Sequence, residues 1–175
     1  MKPLLSALLL LAFTLPSFAV DALEGAFGLK LGDVFTPTES NPTGIVRTDE
    51  NARFQAFRFQ PIAPNRHFFE YWVYVTPATR RIYRIVAVGR ANNSEVASAI
   101  QHAIFTVARE RYIGDFNYPI EDKVVQGTRS VSLRPPIALP DGTALWQVAY
   151  TDLALAGRIL AGNNGVYEEV EATGL

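Results

Sequence analysis

Phe69 to Tyr112 constrains the fold of this chain more than any other stretch. It reads as strand, tight turn, strand, short loop and long helix. In Phe69–Thr76, Phe69, Tyr71, Val73 and Val75 alternate with Glu70, Trp72, Tyr74 and Thr76, a period-two pattern rich in aromatic and β-branched residues. Thr76-Pro77-Ala78-Thr79 places proline at the second turn position, where its fixed φ suits a type I or II turn. The return strand puts Tyr83, Ile85 and Ala87 on one face and Ile82, Arg84, Val86 and Val88 on the other, and it stops at Gly89. Asn92, Asn93 and Ser94 then offer helix caps, with Glu95 in the first turn. Val96, Ile100, Ala103, Ile104 and Val107 recur at helical spacing, Arg109 and Arg111 occupy the last turn, and Gly114 stops the helix. The spacing predicts a helix over about 94–113.

The flanking sequence supplies further strands. Leu23–Gly32 reads as a first strand, with Phe27, Leu29 and Leu31 on one face. Its glycines do not have the G-x-G-x-x-G spacing of a phosphate loop. Asp33–Asn51 is rich in Pro, Thr, Ser and Asn and reads as a long loop, with a short turn of helix near Val34 as the alternative. Arg53–Gln60 is a second strand, with Phe57 and Phe59 on one face. Beyond the helix, Asp115–Asp122 is a linker and Lys123–Arg134 holds a strand closed by Pro135-Pro136. Pro140-Asp141-Gly142 turns the chain into a strand over Thr143–Thr151. Asp152 caps a short helix over Leu153–Ala161, and the acidic Val166–Leu175 follows as a fraying tail. Antiparallel strands gathered with one long helix and a short C-terminal helix on one face predict an α+β two-layer fold.

The start of the chain reads as an address. Met1-Lys2 carries the positive charge, Leu4–Leu15 is apolar, Pro16 breaks the run, and Ser17-Phe18-Ala19 supplies small residues for cleavage. Val20-Asp21-Ala22 is a second cleavage option. The run falls short of the roughly 20 apolar residues that span a bilayer, and no other run of spanning length follows. The expectation is a signal peptide over 1–19, a single domain over 20–175 without a membrane span, and a periplasmic or secreted location. There are no cysteines, so neither disulfides nor lipid attachment at cysteine can serve an exported chain of this sequence. Cleavage after Ala19 leaves 15 basic against 17 acidic residues, a net charge of −2, which argues against a nucleic-acid partner.

GAFGLKLGDVF near the mature start, FEYWVYVTPATRRIYRIVAVG, the helix, YTDLALA and the terminal TGL together resemble a family of small exported bacterial proteins of unassigned function. The matching positions are apolar and turn residues, so the resemblance implies a fold and an exported location, not a chemistry. At fold level the layout is also similar to β-lactamase-inhibitor-like two-layer domains and small envelope-assembly modules.

The chemistry-bearing residues are sparse. Thiol catalysis and cysteine zinc sites are excluded, and G-x-S-x-G and D-x-D-x-D-G motifs are absent. His67 and His102 are the only histidines; His67 and Glu70 fall on opposite faces of a strand. Asp49-Glu50, Glu121-Asp122 and Glu168-Glu169 are adjacent in sequence and read as solvated turns. No catalytic residue, metal or cofactor is predicted. The candidate binding residues are Trp72, Tyr74 and Arg84, which face outward if the helix packs over Tyr71, Val73, Tyr83 and Ile85. Alternation alone does not choose which face the helix takes. The leading reading is an exported, non-catalytic module that binds a protein partner in the bacterial envelope. The alternative is a small-molecule or lipid binder with a pocket lined by Phe54, Phe57 and Tyr74, and the third is an enzyme without a recognisable motif.

Overall fold

The computed structural model describes residues 21–36, 45–48, 55–112 and 123–161, with backbone alone for 45–48 and for residue 160. The 1–19 segment, Phe54, the 115–122 linker, the 166–175 tail and most of the 33–51 loop lie outside the described residues.

The α+β class is as the sequence implies. The elements run β1 (Gly25–Ala26), β2 (Leu29–Lys30), β3 (Ile45–Thr48), β4 (Gln55–Arg58), β5 (Glu70–Val75), β6 (Ile82–Ala91), α1 (Ser94–Tyr112), β7 (Lys123–Gln126), β8 (Arg129–Ala138), β9 (Ala144–Asp152) and α2 (Leu153–Leu160). β1 and β2 form a small hairpin; the other strands form one antiparallel sheet in the order β3-β4-β5-β6-β9-β8-β7. A meander thus runs from β3 to β6, α1 crosses over, and a second meander returns to lay β9 beside β6.

Several expectations change. Residues 25–30 are not one strand but a tight hairpin, because Phe27 (φ 55°) and Gly28 (φ 84°) both take left-handed conformations. Two positive φ values in a two-residue turn match the right-handed twist of paired strands. A phenylalanine there costs about 1–2 kcal/mol. Its ring meets Tyr71 at 5.1 Å, Phe68 at 5.5 Å and Tyr150 at 5.9 Å, all edge-on. At about 0.5–1.5 kcal/mol per aromatic pair, these contacts offset the backbone cost. Val34 makes a bridge to Arg81 rather than a helical turn, and 45–48, inside the expected loop, pairs with β4.

Lys123–Arg134 is two strands, not one, turning at Gly127 (φ 60°). β8 also runs on through Pro135 and Pro136 to Ala138. β7 pairs only with residues 129–132, so the prolines fall on a free edge of β8, beside a register shift between Arg134 and Ile137, where no ladder donor is needed.

One sheet face carries the main core. Phe57, Tyr71, Val73, Val75, Ile85, Val131, Trp146 and Val148 are buried there, with Leu23, Leu31 and Phe35 from the N-terminal segment and Ala97, Phe105, Ala108 and Tyr112 from α1. α1 spans the predicted range but is rotated from the expected stripe. Val96 and Val107 are 41% and 62% exposed, while Gln101 is only 5% exposed. The Gln101 amide donates to the carbonyls of Arg134 at 2.7 Å and Gln147 at 3.4 Å, so the buried polar group is satisfied. Ala97 and Ala108 give this rotated stripe a small profile against the sheet.

The two helices do not share a face. On the core side Tyr150 meets the Phe27 ring, and α1 ends beside it at Tyr112. α2 instead contacts β6, β8 and β9 from the other side, where Tyr83, Val86, Ser130, Ala149 and its own Ile159 are buried apart from the main core. Asp152 starts α2 as expected: its Oδ1 accepts from the backbone N–H groups of Ala154 and Leu155, both at 3.0 Å.

Candidate binding face

The face opposite α1 is built row by row from strand register. Arg58, Trp72, Val86 and Ala149 are successive cross-strand partners in one row, and Ala56, Tyr74, Arg84 and Thr151 in the next. Trp72, Tyr74 and Arg84 therefore lie on one face, directed away from α1, and all three are half-buried rather than fully exposed.

A β-bulge shapes this patch. Register shifts between Tyr74 and Val75, whose partners are Arg84 and Ile82, so Tyr83 is the extra residue. Ile82 consequently enters the main core, and Tyr83 joins the opposite face, reversing the expected assignment of both. The Tyr83 ring stands edge-on to Tyr74 at 6.2 Å, and the Arg84 guanidinium lies over the Tyr74 ring at 5.8 Å. Burial pushes the Tyr83 phenol well above its usual range.

Arg84 is electrostatically exposed to cost. Burial, and secondarily the like charge of Arg134, holds its guanidinium below the usual arginine range. None of the three ion pairs among the described residues, Lys30–Glu24, Arg58–Glu70 and Arg111–Asp21, includes Arg84. Its Nε is buried and has no hydrogen-bond partner among the described residues. Trp72 lies one row along, next to Arg58, which pairs with Glu70 at 2.8 Å. The patch thus combines two aromatic surfaces with a cation that has no carboxylate partner among the described residues.

Of the expected pocket residues Phe54, Phe57 and Tyr74, Phe54 lies outside the described residues, and Phe57 and Tyr74 fall on opposite faces of the sheet. Phe57 pairs with Val73 and enters the core, whereas Tyr74 pairs with Ala56 on the other face. Both histidines are exposed: His67 Nε2 accepts from Arg66 at 3.4 Å, and His102 lies on the open side of α1. Among the described residues, no group of three His, Asp or Glu side chains is arranged to hold a metal ion, and no helix is long and apolar enough to cross a membrane.

Sequence reasoning missed Tyr83 and Arg134 as neighbours of this patch. The alternation of Arg81–Val88 gives no sign of the bulge, and Arg134 comes from a strand whose extent the prolines hid. No protein-family model, curated protein or solved structure matches this chain.

Proposed function

We propose that this chain is an exported, non-catalytic binding module of the bacterial envelope, meeting a protein partner through the face of Trp72, Tyr74 and Arg84. The observation that carries the reading is Arg84, desolvated against Tyr74 without a carboxylate among the described residues. A half-buried cation without a partner is costly. A carboxylate on an incoming surface turns that cost into a charge-assisted hydrogen bond and gains the contact area of two aromatic rings. Trp, Tyr and Arg are the residues that dominate interface energetics. Export is supported by the Met1–Ala19 pattern of charge, apolar run and small residues.

The test is capture from a periplasmic extract with the mature chain as bait, beside Trp72→Ala and Arg84→Glu baits. A partner held by the wild type and lost with Arg84→Glu, at unchanged thermal midpoint, supports the reading. Capture indifferent to both substitutions sinks it.

A further inference from the structure

A separate cleft lies on the other side of the sheet. It has a volume of about 470 Å³ and opens between the β1–β2 hairpin and the C-terminal end of α1. Phe27, Leu29, Tyr112 and Tyr150 supply aromatic and aliphatic walls, and Arg111 stands at the rim. The hairpin that makes one wall is fixed from three directions. Gln126 Oε1 accepts from the Leu23 N–H at 2.6 Å, Arg129 donates to the Leu23 and Leu31 carbonyls at 3.2 Å, and Arg81 donates to the Gly32 carbonyl at 2.9 Å.

The polar groups in this cleft are mostly donors with capacity to spare. The Tyr150 hydroxyl has no hydrogen-bond partner among the described residues, and burial pushes its phenol up to about 12, with Tyr112 adding to the rise. It therefore remains a neutral O–H donor at physiological pH. Arg111 commits its Nε to Asp21 Oδ2 at 2.7 Å, while its terminal guanidinium nitrogens have no hydrogen-bond partner among the described residues. Lys30 and Glu24, also at the rim, neutralise each other at 3.0 Å. What is left unanswered is a demand for acceptors next to an aromatic wall.

We propose that this cleft binds a small monocarboxylate with a flat or aliphatic apolar body. The carboxylate accepts from Tyr150 and Arg111, and the body lies against Phe27 and Leu29. A 470 Å³ cleft matches a ligand of this size. The site is independent of the Trp72–Arg84 face, so either can fail without the other.

The experiment is an NMR titration of the chain with phenylacetate and octanoate, and with phenylacetamide as the uncharged control. Saturable shifts from either carboxylate, centred on Phe27, Tyr112 and Tyr150, support the site when they weaken about tenfold in Tyr150→Phe. Trp72→Ala should leave this binding unchanged. Should Tyr150→Phe fail to fold, Arg111→Gln, at an exposed side chain, carries the same comparison. No saturable shift from either carboxylate, equal binding of the amide, or affinity indifferent to the variant that folds overturns the proposal.

Discussion

Trp146 packs its indole directly on Gly89, its cross-strand partner in the middle of the sheet. A Cβ on Gly89 would stand 2.6 Å from Trp146 Nε1 and closer still to Cε2 and Cζ2. The glycine here makes room for a ring rather than for a turn. Phe68 seals the other side, with ring centroids 5.0 Å apart. Gly89→Ala should therefore destabilise the fold. Alanine gains about 0.5–1 kcal/mol over glycine in a strand, but displacing a fully buried indole costs about 1–3 kcal/mol, so the clash wins. A lower urea midpoint at unchanged slope is the expected readout, and a raised midpoint would show that the indole moves freely.

The rotation of α1 gives a second comparison. Gln101→Leu keeps the size of the side chain but removes the buried amide that donates to the Arg134 carbonyl at 2.7 Å. The expected loss is about 1–3 kcal/mol. Val107→Ala, on the exposed side, should change stability by no more than about 0.5 kcal/mol. Reading α1 from its apolar residues alone predicts the reverse order, so denaturant unfolding of both variants decides between the two faces.

How far this fold is legible in its sequence follows from the range of the interactions. The β5–β6 hairpin and α1 are readable because strand propensity, the Pro77 turn and the Asn93 cap all act locally; Asn93 Oδ1 does accept from the Val96 N–H at 2.9 Å. The burial of Gln101 is not readable, since its reason is a carbonyl 33 residues away. The bulge at Tyr83 changes which side chains share a face without changing the residue alternation. Phe27 hides a type I′ turn because its ring, not its backbone preference, holds it there. For the binding face, Trp72, Tyr74 and Arg84 could be placed together by period two alone, but the desolvation of Arg84 without a carboxylate among the described residues is a tertiary property.

The two buried phenols predict an alkaline limb in stability. Tyr150 is raised to about 12 by burial, and Tyr83 is raised further in the same direction and for the same cause. In the unfolded chain both titrate near pH 10. Above that pH the unfolded state has released protons that the folded state retains, so unfolding free energy falls as pH rises. The contribution is fully present below pH 10 and is lost through about pH 12, amounting for Tyr150 to about 2 kcal/mol or somewhat more. Urea midpoints followed from neutral pH upward should drop over this window, and Tyr150→Phe should flatten the drop. A wild-type profile flat to pH 11 would mean both rings are well solvated.

Arg84 sets stability against recognition. Arg84→Met keeps an unbranched stem against the Tyr74 ring and removes a guanidinium whose Nε is buried without a partner among the described residues. If the cation serves the fold, through its position over the Tyr74 ring, its removal costs stability; that contact is worth about 0.5–2 kcal/mol. Against it stands the desolvation that already holds the guanidinium below its usual range, reinforced by Arg134. With no carboxylate among the described residues to repay that desolvation, the apolar replacement should be neutral or stabilising by up to about 1–2 kcal/mol. Partner capture should fall in the same variant. A more stable chain that binds less well is the signature of a residue kept for contact. A thermal midpoint that drops with Arg84→Met would instead assign the guanidinium to the fold and remove the central argument for this face as the binding surface.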